Sequence, residues 1–85
     1  GSYVSQIEIT SGVIVIMYGN RANAIIANQT LTLTPYQTPE RTVVWRCGAS
    51  PAPAGLVVLG SGSSGPANYI APTVLAQYMP PNCRP

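Results

Sequence analysis

The chain contains two cysteines, Cys47 and Cys83, which lie far apart in the sequence. A small chain with an even number of cysteines, no histidine and few charges is typical of an exported domain with a disulfide. We therefore predict that Cys47 and Cys83 are joined. In the chain-entropy model such a closure is worth on the order of 4 kcal/mol, a large share of the stability of one small domain. The length of 85 residues predicts a single domain, residues 1–85.

Other uses of two cysteines do not fit this sequence. A tetrahedral metal site needs further ligands, and the chain contains no histidine and no aspartate. A redox pair usually has only two residues between its cysteines, whereas Cys47 and Cys83 are widely separated. We expect no metal and no cofactor.

The composition is poor in charge. Apolar residues make up 46% of the chain and charged residues 7%, far below the usual quarter. Freely soluble monomers normally carry more charge, so this composition favours a domain packed against copies of itself or another chain. A small secreted domain with a polar but uncharged surface is the alternative, and composition alone does not choose between them. The net charge of +2 without lysine disfavours nucleic acid as a partner.

The residues that usually carry catalysis are missing. Without histidine, aspartate or lysine, acid–base chemistry would depend on Glu8 and Glu40, and the serines and threonines have no base to activate them. We therefore expect no catalytic site. The five tyrosines and Trp45 fit either a stacking platform for a sugar or base, or packing in a core and an interface. Packing is the favoured interpretation.

The first part of the chain, residues 3–47, has the pattern of a sheet. In Tyr3–Thr10 the residues of one face of the strand alternate with polar residues of the other face, a period-two pattern that gives one apolar face. Ser11-Gly12 is a turn signal, and Val13–Tyr18 is apolar on both faces, which indicates a central strand. These two strands are predicted to form a hairpin.

Two further strands follow a connecting segment. Arg21–Gln29 is short and bounded by turn signals, which favours a loop. Thr30–Thr34 alternates threonine with leucine, whose side chains we expect to be buried, and Pro35 is expected to end the strand. Thr42–Cys47 is the fourth strand. The four strands are predicted to form an antiparallel meander, with the second and third as neighbours.

The second part of the chain, residues 48–85, is rich in proline and glycine. Leu56–Leu59 is its one short apolar run, and Ala71–Tyr78 is predicted to contain a short helical turn before Pro80-Pro81. Gly60–Gly65 is interpreted as a mobile tip and not as a phosphate loop, since no lysine follows it.

The register of the four strands places a set of large apolar side chains on one face. At about 1.5–3 kcal/mol for each large side chain buried, that face carries on the order of 10 kcal/mol, as much as a whole domain's stability. No predicted element in these 85 residues is long enough to cover it. We therefore expect a partner to dock there. The face comprises Ile7, Ile9, Leu31, Leu33, Val43 and Trp45.

Two motifs of the chain are specific, namely Trp-x-Cys-Gly at residues 45–48 and Cys-Arg-Pro at residues 83–85. With them, nearly the whole chain resembles the C-terminal globular part of a Gram-negative type IVa major pilin. The resemblance also rests on the order of the other segments, which are Tyr18–Asn20, Ala22–Ile26, Thr30–Pro35, Val44–Gly48 and Tyr78–Pro85.

The resemblance implies an α+β pilin fold, in which a four-stranded antiparallel sheet packs on a long N-terminal helix. It makes Cys47 and Cys83 the pair that closes the terminal loop of the family (the D-region), with residues 48–82 as its surface loop. That helix is not in these 85 residues. We therefore expect it to be supplied in cis, by a segment truncated or processed off, or in trans by a separate chain.

The resemblance further implies an extracellular, cell-surface pilus subunit that polymerises with other pilin subunits. Such fibres serve surface adhesion, twitching motility and DNA uptake, and they contact a host or surface receptor. Two alternatives remain open. One is a secreted, disulfide-stapled β binding module for a carbohydrate or protein ligand, with the apolar face covered by Leu56–Leu59 and Tyr69–Met79. The other is a minor pilin, which would bind DNA through a basic patch.

Overall fold

The alternating first part of the chain folds into a meander, as predicted. The computed structural model describes residues 2–61 and 65–85. The strands are β1 (Val4–Thr10), β2 (Val13–Tyr18), β3 (Thr30–Gln37), β4 (Val43–Cys47) and β5 (Val57–Val58). The sheet has the strand order β1-β2-β3-β4 with every pairing antiparallel. The two-residue strand β5 pairs with the end of β3 as an addition that the sequence did not predict.

Ser11 and Gly12 form the β1–β2 turn. Both have positive φ, 49° and 77°, which a two-residue turn of the hairpin type requires. The space is also restricted, because a Cβ at Gly12 would lie 3.0 Å from the Cβ of Ala67. The turn therefore sets the β1–β2 register and brings the later part of the chain against its tip.

Pro35 does not end β3, contrary to the prediction. The strand continues to Gln37, and Pro35 lies opposite Trp45 of β4. The amide of Gly48 donates to Thr32 O (2.7 Å), so the even-numbered residues of β3 direct their backbone groups toward β4. Pro35 is directed to the other side, where pairing with β2 stops at Leu33. On that side the amide of Leu59, just after β5, donates to Pro35 O (3.0 Å), and Leu59 O accepts from the amide of Ala67 (2.9 Å). The missing N–H of Pro35 therefore leaves no acceptor without a donor.

The face of β3 that carries threonine is the better buried one. Thr32 and Thr34 are fully buried, whereas Leu33 is only half-buried. The C-terminal segment covers this face in extended form and without a helix: Thr32 Oγ1 donates to Ile70 O (2.8 Å) and the amide of Thr30 donates to Thr73 Oγ1 (2.7 Å). The expectation that leucine marks the buried side of β3 is therefore correct for Leu31 and wrong for Leu33.

The C-terminal segment is closed onto the sheet by the predicted disulfide between Cys47 and Cys83. The amide of Ala49 donates to Cys83 O (3.0 Å) beside it. Gly48 has φ 55°, and a Cβ there would lie 3.0 Å from both Cys83 O and the Cδ1 of Leu31. A side chain at position 48 would therefore strain the backbone and separate these two segments.

Two short helical turns accompany the sheet within the described part of the chain. The turn expected within residues 71–78 is the 3₁₀ turn Ala76–Tyr78, and a second one spans Pro81–Cys83. The segment Arg21–Gln29 is a loop of successive turns, as predicted. Residues 62–64 of the predicted mobile tip lie outside the described residues. In the part of the chain that the structure describes, no helix has the length and apolarity needed to cross a bilayer.

The two buried threonines give opposite stability predictions. Thr34 Oγ1 is buried without a hydrogen-bond partner, so Thr34→Val should stabilise the chain by about 1 kcal/mol. Thr32→Val should destabilise it by about the same amount, because it removes the bond to Ile70 O. Denaturant unfolding of the two variants tests this, since each is the control for the other. Equal changes in the unfolding free energy would contradict the assigned hydrogen bonding.

Candidate functional site: an uncovered apolar sheet face

One face of the sheet consists almost entirely of large apolar side chains. The register joins Ile7 to Ile16 across β1 and β2, and it joins Ile9 to Ile14 and then Leu33 across three strands. Trp45 and Val43 lie on the same face through β4. We call this set the apolar face. It comprises Ile7, Ile9, Ile14, Ile16, Leu33, Val43 and Trp45.

The apolar face is largely open to solvent. Ile9 is 73% exposed, Ile7 63%, Trp45 48% and Val43 43%, while the residues at its centre are half-buried. Monomeric soluble proteins rarely leave contiguous apolar patches of this kind uncovered, and such patches mark interaction sites. The exposed side chains are therefore the strongest indication of a function in this structure.

Leu31 is placed differently from the other residues that the sequence analysis grouped on this face. Its register agrees with theirs, since it lies opposite Ile16. It is nevertheless buried, at 7% exposure, in a small core with Val74, Met79 and Cys83. The C-terminal segment wraps around this end of the sheet and removes Leu31 from the open surface.

Two central members of the apolar face were missed in the sequence. Ile14 and Ile16 belong to β2, which is apolar on both faces, so its pattern alone does not tell which side chains share a face with Ile7 and Ile9. The short Ser11-Gly12 turn was the available signal, because a two-residue turn fixes the register of the pair.

The charged side chains of the strands lie on the opposite face. Arg46 lies opposite Thr34, and its guanidinium stacks over the ring of Tyr69 at 3.8 Å from the centroid. Its Nε donates to Ser50 O (2.7 Å) and its Nη1 to the hydroxyl of Tyr36 (3.3 Å). Arg46 therefore ties the C-terminal segment to the covered face, as a cation shared between an aromatic ring and two oxygens.

Glu8 and Glu40 are the two carboxylate side chains of the sequence. Glu8 lies on exposed β1, where Gln6 Nε2 donates to its carboxylate, and Glu40 lies in the exposed β3–β4 turn. Among residues 2–61 and 65–85, no group of three or more His, Cys, Asp or Glu side chains is placed to hold a metal ion. The apolar face is therefore the feature on which a functional assignment depends.

The domain is an antiparallel sheet closed by a disulfide, with its threonine face covered and its apolar face open to solvent. These features define a structural domain suited to assembly. The model of the pilin family of bacterial filament proteins matches residues 1–84, and the chain belongs to that family. It is thus a structural subunit of an extracellular pilus filament, and the family is not one of enzymes. No curated protein and no solved structure matches the chain significantly.

Trp45 is the one tryptophan of the chain, so its fluorescence reports on the apolar face. In dilute solution we expect acrylamide to quench it in proportion to its 48% exposure, measured against the fully accessible unfolded chain. Quenching close to zero in the folded monomer would mean that another part of the chain covers the face.

Proposed function

We propose that this chain is the single globular head of a Gram-negative type IVa pilus subunit, and that its apolar face docks on the long N-terminal helix of a pilin. The helix comes in cis from a preceding segment or in trans from a separate chain. The observation that supports this most strongly is the difference between the two faces. The C-terminal segment covers the threonine face, while Ile7, Ile9, Val43 and Trp45 on the other face stay exposed.

The dimensions of the face suit a helix. Four strands about 4.8 Å apart give a surface roughly 15 Å wide, and a helix with its side chains is about 10 Å across. A helix laid along the face contacts the central isoleucines directly, and its flanking side chains reach the exposed residues of the edge strands β1 and β4. Burying an exposed isoleucine contributes about 1.5–3 kcal/mol, so the four most exposed residues supply several kcal/mol. This is enough to hold a helix in place.

The same arrangement supports polymerisation. With the helix on the apolar face, the part of the C-terminal segment that covers the threonine face is left at the outside of the subunit. Repeated contacts between different surfaces of successive subunits then generate an open filament and not a closed ring. Surface adhesion follows as the role of the exposed segment, with a host or surface receptor as its partner, and twitching motility follows as a role of the whole fibre.

DNA uptake receives less support from this domain. Arg46 is stacked and hydrogen-bonded, and Arg84 donates to Met79 O (3.1 Å) and Gln77 O (3.4 Å). Only Arg21 and Arg41 remain for phosphate contacts, which is far fewer than a DNA-binding surface normally uses. The minor-pilin alternative, which relies on a basic patch, is disfavoured for the same reason.

The binding-module alternative is also disfavoured. It requires residues 56–59 and 69–79 to cover the apolar face. Instead, Val57 and Val58 pair with the edge of β3, and Tyr69 and Ile70 contact Arg46 and Thr32 on the covered face. This arrangement does not favour a domain whose apolar face is covered and which acts on its own.

A helix-addition experiment tests the proposal. An amphipathic pilin-type helix, fused to residue 1 or added as a peptide, should raise the melting temperature of the chain. Each kcal/mol of docking free energy corresponds to roughly 4–8 °C for a domain of this size. Ile9→Asp should abolish the gain, because it places an unpaired carboxylate in the helix contact.

Thr10→Asp is the matched control. Thr10 follows Ile9 on the same exposed edge strand, and its side chain points to the opposite face. Both variants should leave the stability of the chain without the helix nearly unchanged, since both positions are exposed. If the added helix leaves the melting temperature unchanged, or if both variants lose the gain equally, docking on the apolar face would be contradicted.

A further inference from the structure

A polar pocket lies at the end of the sheet where β3 turns into β4. The β3–β4 turn and the loop that contains β5 line an open pocket of about 330 Å³. Small-molecule sites span about 300–1,000 Å³, so this cavity has room for a ligand of roughly one sugar residue. Its lining includes Gln37, Thr38, Pro39, Arg41, Val57 and Ser61.

Three polar side chains of the pocket are not used by the fold. The guanidinium of Arg41, the carboxamide of Gln37 and the hydroxyl of Ser61 have no hydrogen-bond or ion-pair partner within residues 2–61 and 65–85. The hydroxyl of Thr38, in contrast, bonds to that of Thr42 at 2.7 Å. No carboxylate is among the lining residues, although Glu40 precedes Arg41 in the turn, so the pocket offers one positive charge beside two neutral polar groups.

The backbone fixes Arg41 at the wall of this pocket. Its amide donates to Thr38 O (2.9 Å), and the amide of Thr38 donates to Thr42 O (3.0 Å), which closes the turn. Arg41 has φ 67°, in the left-handed region that glycine adopts without strain and arginine does not. Backbone stability alone would favour glycine here, so the arginine contributes something other than turn stability.

We propose that this pocket binds a carboxylated sugar, such as a uronic acid at the end of a glycan. The planar guanidinium of Arg41 matches a carboxylate with two parallel hydrogen bonds. Gln37 can donate to and accept from sugar hydroxyls, Ser61 can do the same, and Val57 and Pro39 supply apolar contacts for the C–H groups of the ring. Gln37 and Val57 lie on the same side of the sheet as Val43, so the pocket borders the apolar face, but neither proposal requires the other.

Titration of the ¹⁵N-labelled chain with glucuronate tests the site. We expect saturable amide shifts at Gln37, Arg41, Val57 and Ser61, with a Kd on the order of 1 mM, as is usual for one small ligand residue. Glucose, which lacks the carboxylate, should produce no saturable shifts there. Acetate should bind the same residues more weakly than glucuronate. If acetate binds as tightly, the sugar assignment is wrong, and the pocket takes a carboxylate from another source such as a protein.

Arg41→Gly separates binding from folding. Glycine suits the φ of position 41, so this variant should keep or raise the melting temperature while glucuronate binding weakens at least about tenfold. Arg21→Gln removes one positive charge from an exposed loop elsewhere and should leave binding unchanged. No saturable shifts with glucuronate in the parent chain, or unchanged binding in Arg41→Gly, would overturn the proposal.

Discussion

The hydrogen bonds between β3 and the C-terminal segment decide how this domain is organised. Thr32 donates to Ile70 O and Thr30 bonds with Thr73, so the segment is held on the threonine face of the central strand. Within residues 2–61 and 65–85, no second layer covers the other face. The large apolar side chains of the edge strands are consequently exposed.

The disulfide and the glycine beside it stabilise the position of the C-terminal segment on the sheet. A C-terminal segment with only two short 3₁₀ turns has little regular structure of its own. Cys47–Cys83 fixes it at the end of β4, Gly48 permits the close approach of Leu31 and Cys83, and Arg46 holds its middle against Tyr69. A small domain gains from this, since the segment stays folded without the support of a large core.

The sequence predicted the order of the strands well and the faces less well. Strict alternation in β1 and β3, the Ser11-Gly12 turn and the cysteine pair each follow from local rules, and the structure agrees with them. Pro35 was misjudged because its tolerance depends on where neighbouring strands stop, which is a property of the assembled sheet. Burial of Thr32 was missed because it depends on a segment about forty residues later whose path has no periodic signal.

The candidate site was predictable to a similar extent. The grouping of Ile7, Ile9, Val43 and Trp45 agrees with the register, but the contribution of Ile14 and Ile16 required the pairing itself. The pocket around Arg41 has no motif, because its walls come from the β3–β4 turn and from a loop after a proline-rich stretch. Tertiary placement alone brings these residues together.

The central claim is that one face of the sheet is open in the monomer and the other is covered. Hydroxyl-radical footprinting of the dilute chain, read out by mass spectrometry, measures this directly. We expect strong modification of Ile7, Ile9 and Trp45, and protection of Val13 and of Met79, which is intrinsically reactive but only 5% exposed. Protection of Ile9 and Trp45 in the monomer, together with modification of Met79, would contradict the account.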